Sequence, residues 1–115
     1  MRIWLIGAGQ IGTSVLQQLQ KNPDITVFVS DPSRSPQAVQ EGVIEKVDLT
    51  ENVTSVNINQ LARRIRPDLI LLSPAGNDRN LSGLEGGQAM AQALNYEISN
   101  RSDYPLIVLS LSNAR

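Results

Sequence analysis

A short run near the start of the chain has the residue types and spacing that hold a phosphate group. It matches the pattern G-x-G-x-x-G, in the order Gly7, Ala8, Gly9, Gln10, Ile11 and Gly12. Between a strand and a helix, the first glycine allows the tight turn, the second lets the backbone approach a pyrophosphate, and the third lets the helix pack close to the sheet. The amides at the start of the helix then point at the anion, with the positive end of the helix dipole behind them. We therefore predict that all six residues belong to a dinucleotide-binding site, the alternative being glycines that serve turn geometry alone.

Asp31 supplies a second element of the same site. It follows an apolar run over residues 25–30 and lies about 20 residues beyond the last glycine of the motif. A carboxylate there accepts hydrogen bonds from the adenosine ribose hydroxyls and repels a 2′-phosphate, which favours NAD(H). Pro32, Ser33 and Arg34 follow directly. The guanidinium of Arg34 and the hydroxyl of Ser33 suit a 2′-phosphate, so NADP(H) is the alternative cofactor.

Two further segments are predicted to reach the same edge of the sheet. Asp48 and Leu49 end the predicted third strand, where the carboxylate would accept the adenine amino group, the alternative being a turn-forming aspartate. The fourth predicted strand is followed by small residues that would let the backbone lie against the ribose and the second phosphate. These are Ser73, Pro74, Ala75 and Gly76.

The chain holds few groups that could carry acid–base or nucleophilic catalysis. It contains neither His nor Cys, which excludes Ser-His-Asp triads, thiolate nucleophiles and the usual zinc sites. Its two lysines, Lys21 and Lys46, are predicted to lie away from the nicotinamide position. We assign no catalytic and no metal-binding residue and expect no catalysis by this chain alone. The alternative is a small NAD(P)-dependent oxidoreductase whose acid–base group comes from a partner subunit.

Alternating strands and helices position these residues. Strands are predicted over residues 2–6, 25–30, 43–49, 68–73 and 105–111, and helices over residues 10–21, 35–42, 58–66 and 81–95. This alternation predicts an α/β fold, a doubly wound parallel five-stranded sheet of order 3-2-1-4-5, in one Rossmann-like domain over residues 1–115. Arginines 63, 64 and 66 crowd the end of the third helix, where cations complement the helix dipole.

The predicted topology also suggests a surface for association. In the order 3-2-1-4-5 the first two helices cover strands 1 to 3, which leaves strands 4 and 5 uncovered on that face. Both strands are continuously apolar, at residues 69–72 and 106–109, so both of their faces require burial. We expect a homodimer, or a partner protein that covers strands 4 and 5.

Charge and hydropathy limit the other partners. Ten basic and eleven acidic residues give a net charge of -1, which argues against nucleic acid as a partner because such binding needs cations that neutralise phosphates. No apolar run approaches the ~20 residues of a membrane span, and the first residues lack the pattern of a secretory leader. We expect no membrane insertion and a cytoplasmic location.

Several segments resemble known families. GAGQIG together with Asp31 resembles the NAD(P)-binding Rossmann domains at the N-termini of many dehydrogenases, over essentially the whole chain. VDLT followed by RRIRPDLILLSPA is similar to extended short-chain dehydrogenases and to the saccharopine dehydrogenase group. The Tyr-x-x-x-Lys pair of the short-chain enzymes is absent, since Tyr96 and Tyr104 have no lysine four residues later.

A further resemblance is to the KTN/RCK nucleotide-binding regulatory domains of potassium channels and transporters. These domains carry a polar D-x-x-N stretch after strand 4, and residues 78–81, DRNL, are close to it, with the spacing off by one residue. Together the resemblances imply a nucleotide-binding module that acts as a sensor or as the cofactor-binding part of a larger assembly.

Overall fold

The computed structural model describes residues 1–73 and 96–109 of the 115-residue chain. Five strands form one parallel sheet in the order β3-β2-β1-β4-β5. They are β1 (Arg2–Ile6), β2 (Thr26–Asp31), β3 (Leu49–Thr50), β4 (Leu69–Leu72) and β5 (Leu106–Val108). The helices are α1 (Gln10–Leu19), α2 (Gln37–Gln40) and α3 (Ile58–Ile65), and the chain is helical again at 96–101. The predicted α/β fold and strand order are confirmed.

The central strand β1 is buried on both faces. Ile3 and Leu5 belong to a cluster with residues of α1, whereas Trp4 and Ile6 belong to a second cluster with residues of α3. The indole of Trp4 is fully buried, and its Nε1 donates a hydrogen bond of 2.9 Å to Ser30 Oγ. This bond matters because a buried N–H without a partner costs about 1–3 kcal/mol.

The predicted third strand over residues 43–49 is wrong for most of its length. Only Leu49 and Thr50 pair with β2, opposite Ser30 and Asp31. The preceding segment packs against the end of α2, because the amides of residues 43 and 44 both donate to the carbonyl oxygen of Ala38, at 2.9 and 3.3 Å. These local bonds direct the segment away from the edge of β2.

The later elements agree with the prediction only in part. The helix predicted over residues 81–95 lies outside the described residues, and the helical stretch at 96–101 was not predicted. Within that stretch, Ile98 is buried in the cluster formed with α3. The strand predicted over residues 105–111 is present as β5 at residues 106–108.

The prediction that one face of strands β4 and β5 is uncovered agrees with the structure at one described position. Leu71 of β4 and Leu109 are buried in the cluster on the α1 face, so the expectation does not hold for them. Ile107 is 45% exposed, and its register opposite Leu71 places it on the same face. The homodimer or covering partner therefore stays a prediction. None of the helices in the described ranges has the length and apolar character that crossing a bilayer requires.

Candidate functional site

The turn between β1 and α1 is built by two glycines in contact. Gly7 has a φ of 95°, which turns the chain out of β1, and its amide still donates to Ser30 of β2 at 2.8 Å. A Cβ atom placed on Gly12 would overlap the carbonyl oxygen of Gly7. The first turn of α1 therefore lies directly against the backbone of this turn, as predicted from the spacing of the motif.

The N-terminus of α1 carries unpaired amides. Gly9 is the N-cap, no side chain caps the helix, and the first turn contains no acidic residue. The first bond within the helix runs from the amide of Thr13 to the carbonyl oxygen of Gly9, at 2.8 Å. Within the described residues, the amides of Gln10, Ile11 and Gly12 have no acceptor. Such amides, with the dipole behind them, are donors for an anion.

Asp31 connects the glycine turn to the loop after β2. Its carboxylate is 6% exposed, and Oδ2 accepts a hydrogen bond of 2.8 Å from the amide of Ala8. The other oxygen, Oδ1, accepts one of 2.9 Å from the amide of Ser33. Each carboxylate oxygen has two lone pairs, so each keeps one acceptor position beyond these bonds.

The start of α2 is bonded to the same turn. The carbonyl oxygen of Ala8 accepts hydrogen bonds from the amide of Ala38, at 3.0 Å, and from Oγ1 of Thr13, at 3.1 Å. The first turn of α2 is therefore tied to the turn that leads from β1 into α1.

Between these elements lies a cleft of about 520 Å³, which we call the carboxyl-edge cleft. Four of the residues that line it were predicted from the sequence, namely Gly9, Gln10, Asp31 and Ser33. The other four belong to α2 and its approach and were not predicted as site residues, namely Ser35, Pro36, Gln37 and Gln40. Because α2 is the next element after β2, its start lies near the carboxyl end of that strand, and this order of elements was the available signal for these residues.

Other predicted site residues lie around the cleft without lining it. Ala8, Ile11 and Gly12 are buried behind its surface, whereas Pro32 and Arg34 are exposed beside it. Ser73 is 3% exposed and extends the pairing of β4 with β1, its amide donating to Ile6 at 2.9 Å. Pro74, Ala75 and Gly76 lie outside the described residues.

Asp48 and Leu49 are placed differently from the prediction. Because β3 begins at Leu49, Asp48 precedes the strand instead of ending it. Its Oδ2 accepts a hydrogen bond of 2.8 Å from the amide of Val29, and its own amide donates to the carbonyl oxygen of Val29 at 2.9 Å. Asp48 is thus hydrogen-bonded to Val29 of β2 just before the paired residues of β3 begin, and neither Asp48 nor Leu49 lines the carboxyl-edge cleft.

No protein-family model matches the chain, and no curated protein and no solved structure matches it either. The Rossmann-like character of the fold therefore follows from the parallel sheet and its strand order.

Proposed function

We propose that the chain is a dinucleotide-binding module that takes NAD(H) in preference to NADP(H), as a sensor or as the cofactor-binding part of a larger assembly. One observation carries this proposal. The start of α1, at Gly9 and Gln10, lines the same cleft as Asp31, and the two are joined through the hydrogen bond from the amide of Ala8 to the carboxylate of Asp31.

The start of α1 fits a pyrophosphate. Glycine at the N-cap leaves the backbone open to close approach, and neither a capping side chain nor an acidic residue competes for the amides. The contact of Gly12 with Gly7 keeps the helix start close to the end of β1. A pyrophosphate on these amides would gain both hydrogen bonds and the favourable end of the helix dipole.

Asp31 supports recognition of an unmodified ribose. Its remaining acceptor positions suit two ribose hydroxyls, while its negative charge opposes a 2′-phosphate. Arg34 is exposed and does not line the cleft. None of the described residues that line the cleft therefore supplies a positive charge for a 2′-phosphate. This arrangement favours NAD(H).

Bound NAD(H) would supply hydride chemistry. Among the described residues that line the cleft, Asp31 is the one titratable side chain, and it is engaged with two amides. This supports a binding module over a catalytic one. The oxidoreductase completed by a partner subunit remains the alternative.

Calorimetric titration of the full chain with NADH, NADPH, ADP-ribose and AMP tests the proposal. We expect NADH to bind more tightly than NADPH, and ADP-ribose to keep most of the affinity because it keeps the pyrophosphate. AMP, which lacks the second phosphate, should bind at least about tenfold more weakly, a loss of about 1.4 kcal/mol. Absence of binding by both NADH and NADPH would overturn the proposal, and tighter binding of NADPH would overturn the cofactor preference.

A further inference from the structure

A second groove lies on the opposite face of the sheet from α1 and α2. It follows from the position of α3, which packs on Trp4 and Ile70, at the centre of the sheet. On this face Phe28 of β2 and Leu49 of β3 pack against the same cluster but are only partly buried. The result is a groove of about 460 Å³ between α3 and strands β2 and β3, here named the α3-face groove.

The floor of the α3-face groove is apolar and aromatic. Its side chains are Phe28, Leu49, Leu61 and Ile65. Phe28 is the only phenylalanine of the chain, and its half-buried ring is large enough to pack against an aromatic ligand. The volume falls within the range of about 300–1,000 Å³ typical of small-molecule sites.

Two arginines, Arg2 and Arg64, line the same groove. Arg2 is held in place because its NH1 atom donates a hydrogen bond of 2.7 Å to the carbonyl oxygen of Ile65, at the end of α3. Arg64 lies on the exposed side of α3. Among the described residues, no carboxylate pairs with either guanidinium. The carboxylate of Asp68 is bonded instead to the backbone amide of Arg2, at 2.7 Å.

The charge of the groove is therefore positive. Asp48 is the one acidic residue that lines it, against the two arginines, and Asp48 already accepts the amide of Val29. A pair of guanidiniums beside an apolar floor is complementary to a carboxylate attached to a hydrocarbon body, because Arg binds carboxylates through paired hydrogen bonds.

We propose that the α3-face groove binds a small aromatic carboxylate, with its ring on Phe28 and Leu49 and its carboxylate between Arg2 and Arg64. The site shares no lining residue with the carboxyl-edge cleft. It therefore does not depend on the proposed nucleotide binding, and either can fail without the other.

The test compares naphthoate with naphthamide, its uncharged isostere, by amide chemical-shift titration of the full chain. We expect naphthoate to bind at least about fivefold more tightly, a preference of about 1 kcal/mol. The largest shifts should fall in residues 26–28 and 61–65. About 0.5 M NaCl should reduce the preference, because the guanidiniums are at the surface.

A matched pair of arginine variants tests whether the preference for naphthoate depends on a charge within the groove. Arg63 and Arg64 are adjacent and both exposed, but only Arg64 lines the groove. Arg64→Gln should reduce the preference for naphthoate to less than about twofold, whereas Arg63→Gln should leave it unchanged. Equal affinity of the two probes, equal effects of the two variants, or shifts centred on Gly9 and Asp31 would each overturn the proposal.

Discussion

Ala8 and Asp31 are joined by a buried hydrogen bond of 2.8 Å, in which the amide of Ala8 donates to Oδ2 of Asp31. The bond connects the glycine turn after β1 to the end of β2. It gives Asp31 a role in the free protein as well as the proposed role toward a ribose. Substitutions at this position must therefore be judged by both stability and binding.

Replacing Asp31 should separate these two roles. Asp31→Ala leaves the buried amide of Ala8 without an acceptor and should lower the free energy of unfolding by about 1–3 kcal/mol. Asp31→Asn keeps one oxygen acceptor, so it should cost less stability and still weaken NADH binding. Urea denaturation and calorimetry measure the two effects, with Asp24→Ala, an exposed aspartate, as the control. Equal stability of Asp31→Ala and wild type would contradict the structural role.

The contact between Gly7 and Gly12 predicts a severe effect of one added methyl group. Gly12→Ala would place a Cβ against the carbonyl oxygen of Gly7, and such overpacking costs about 1–3 kcal/mol. It should also abolish NADH binding, because the start of α1 must move. Gly42→Ala is the matched control, since that residue has a φ of 75° but open space around it. It should cost about 1–2 kcal/mol and leave NADH affinity intact.

A charge at the start of α1 should change stability and binding in opposite directions. Gln10→Glu places a carboxylate at the positive end of the helix dipole and should stabilise the free protein by about 0.3–1 kcal/mol. The same carboxylate should weaken NADH binding about tenfold by repelling the pyrophosphate. Thermal denaturation and calorimetry provide the two measurements.

Gln18→Glu is the control for that experiment, because it makes the same change at the other, exposed end of α1. It should lower the free energy of unfolding by roughly 0.3 kcal/mol and leave the affinity for NADH unchanged. Equal losses of affinity in both variants would show that net charge, and not the helix N-terminus, controls binding.

Asp48 should contribute to the stability of the sheet and not to the binding of the nucleotide. Asp48→Ala removes the acceptor for the amide of Val29 and should lower the free energy of unfolding by about 1 kcal/mol. NADH affinity should stay within about twofold of wild type, because Asp48 does not line the carboxyl-edge cleft. A tenfold loss of affinity without unfolding would restore the predicted contact with adenine.

Local patterns were sufficient to predict the centre of the fold. The apolar run of β1, the three glycines and the acid at the end of β2 are close in sequence, and their spacing follows from strand and helix geometry. The strand order followed from the alternation of strands and helices. Prediction failed where a segment had two alternative sets of hydrogen-bond partners, as at residues 43–47, which could bond either to β2 or to the end of α2.

The sequence by itself determined that Gly12 must approach Gly7 and that Asp31 must end a strand beside them. These residues belong to elements that follow one another along the chain, so their spacing is enough to predict the contacts. The tertiary structure alone decided that the carbonyl oxygen of Ala38 takes the amides of residues 43 and 44. That choice shortens β3 to Leu49 and Thr50 and moves Asp48 to the edge of β2. The physical reason is that local hydrogen bonds at the end of α2 compete with pairing of the same segment along β2, and the alternating pattern of residues 43–49 does not record which set is formed.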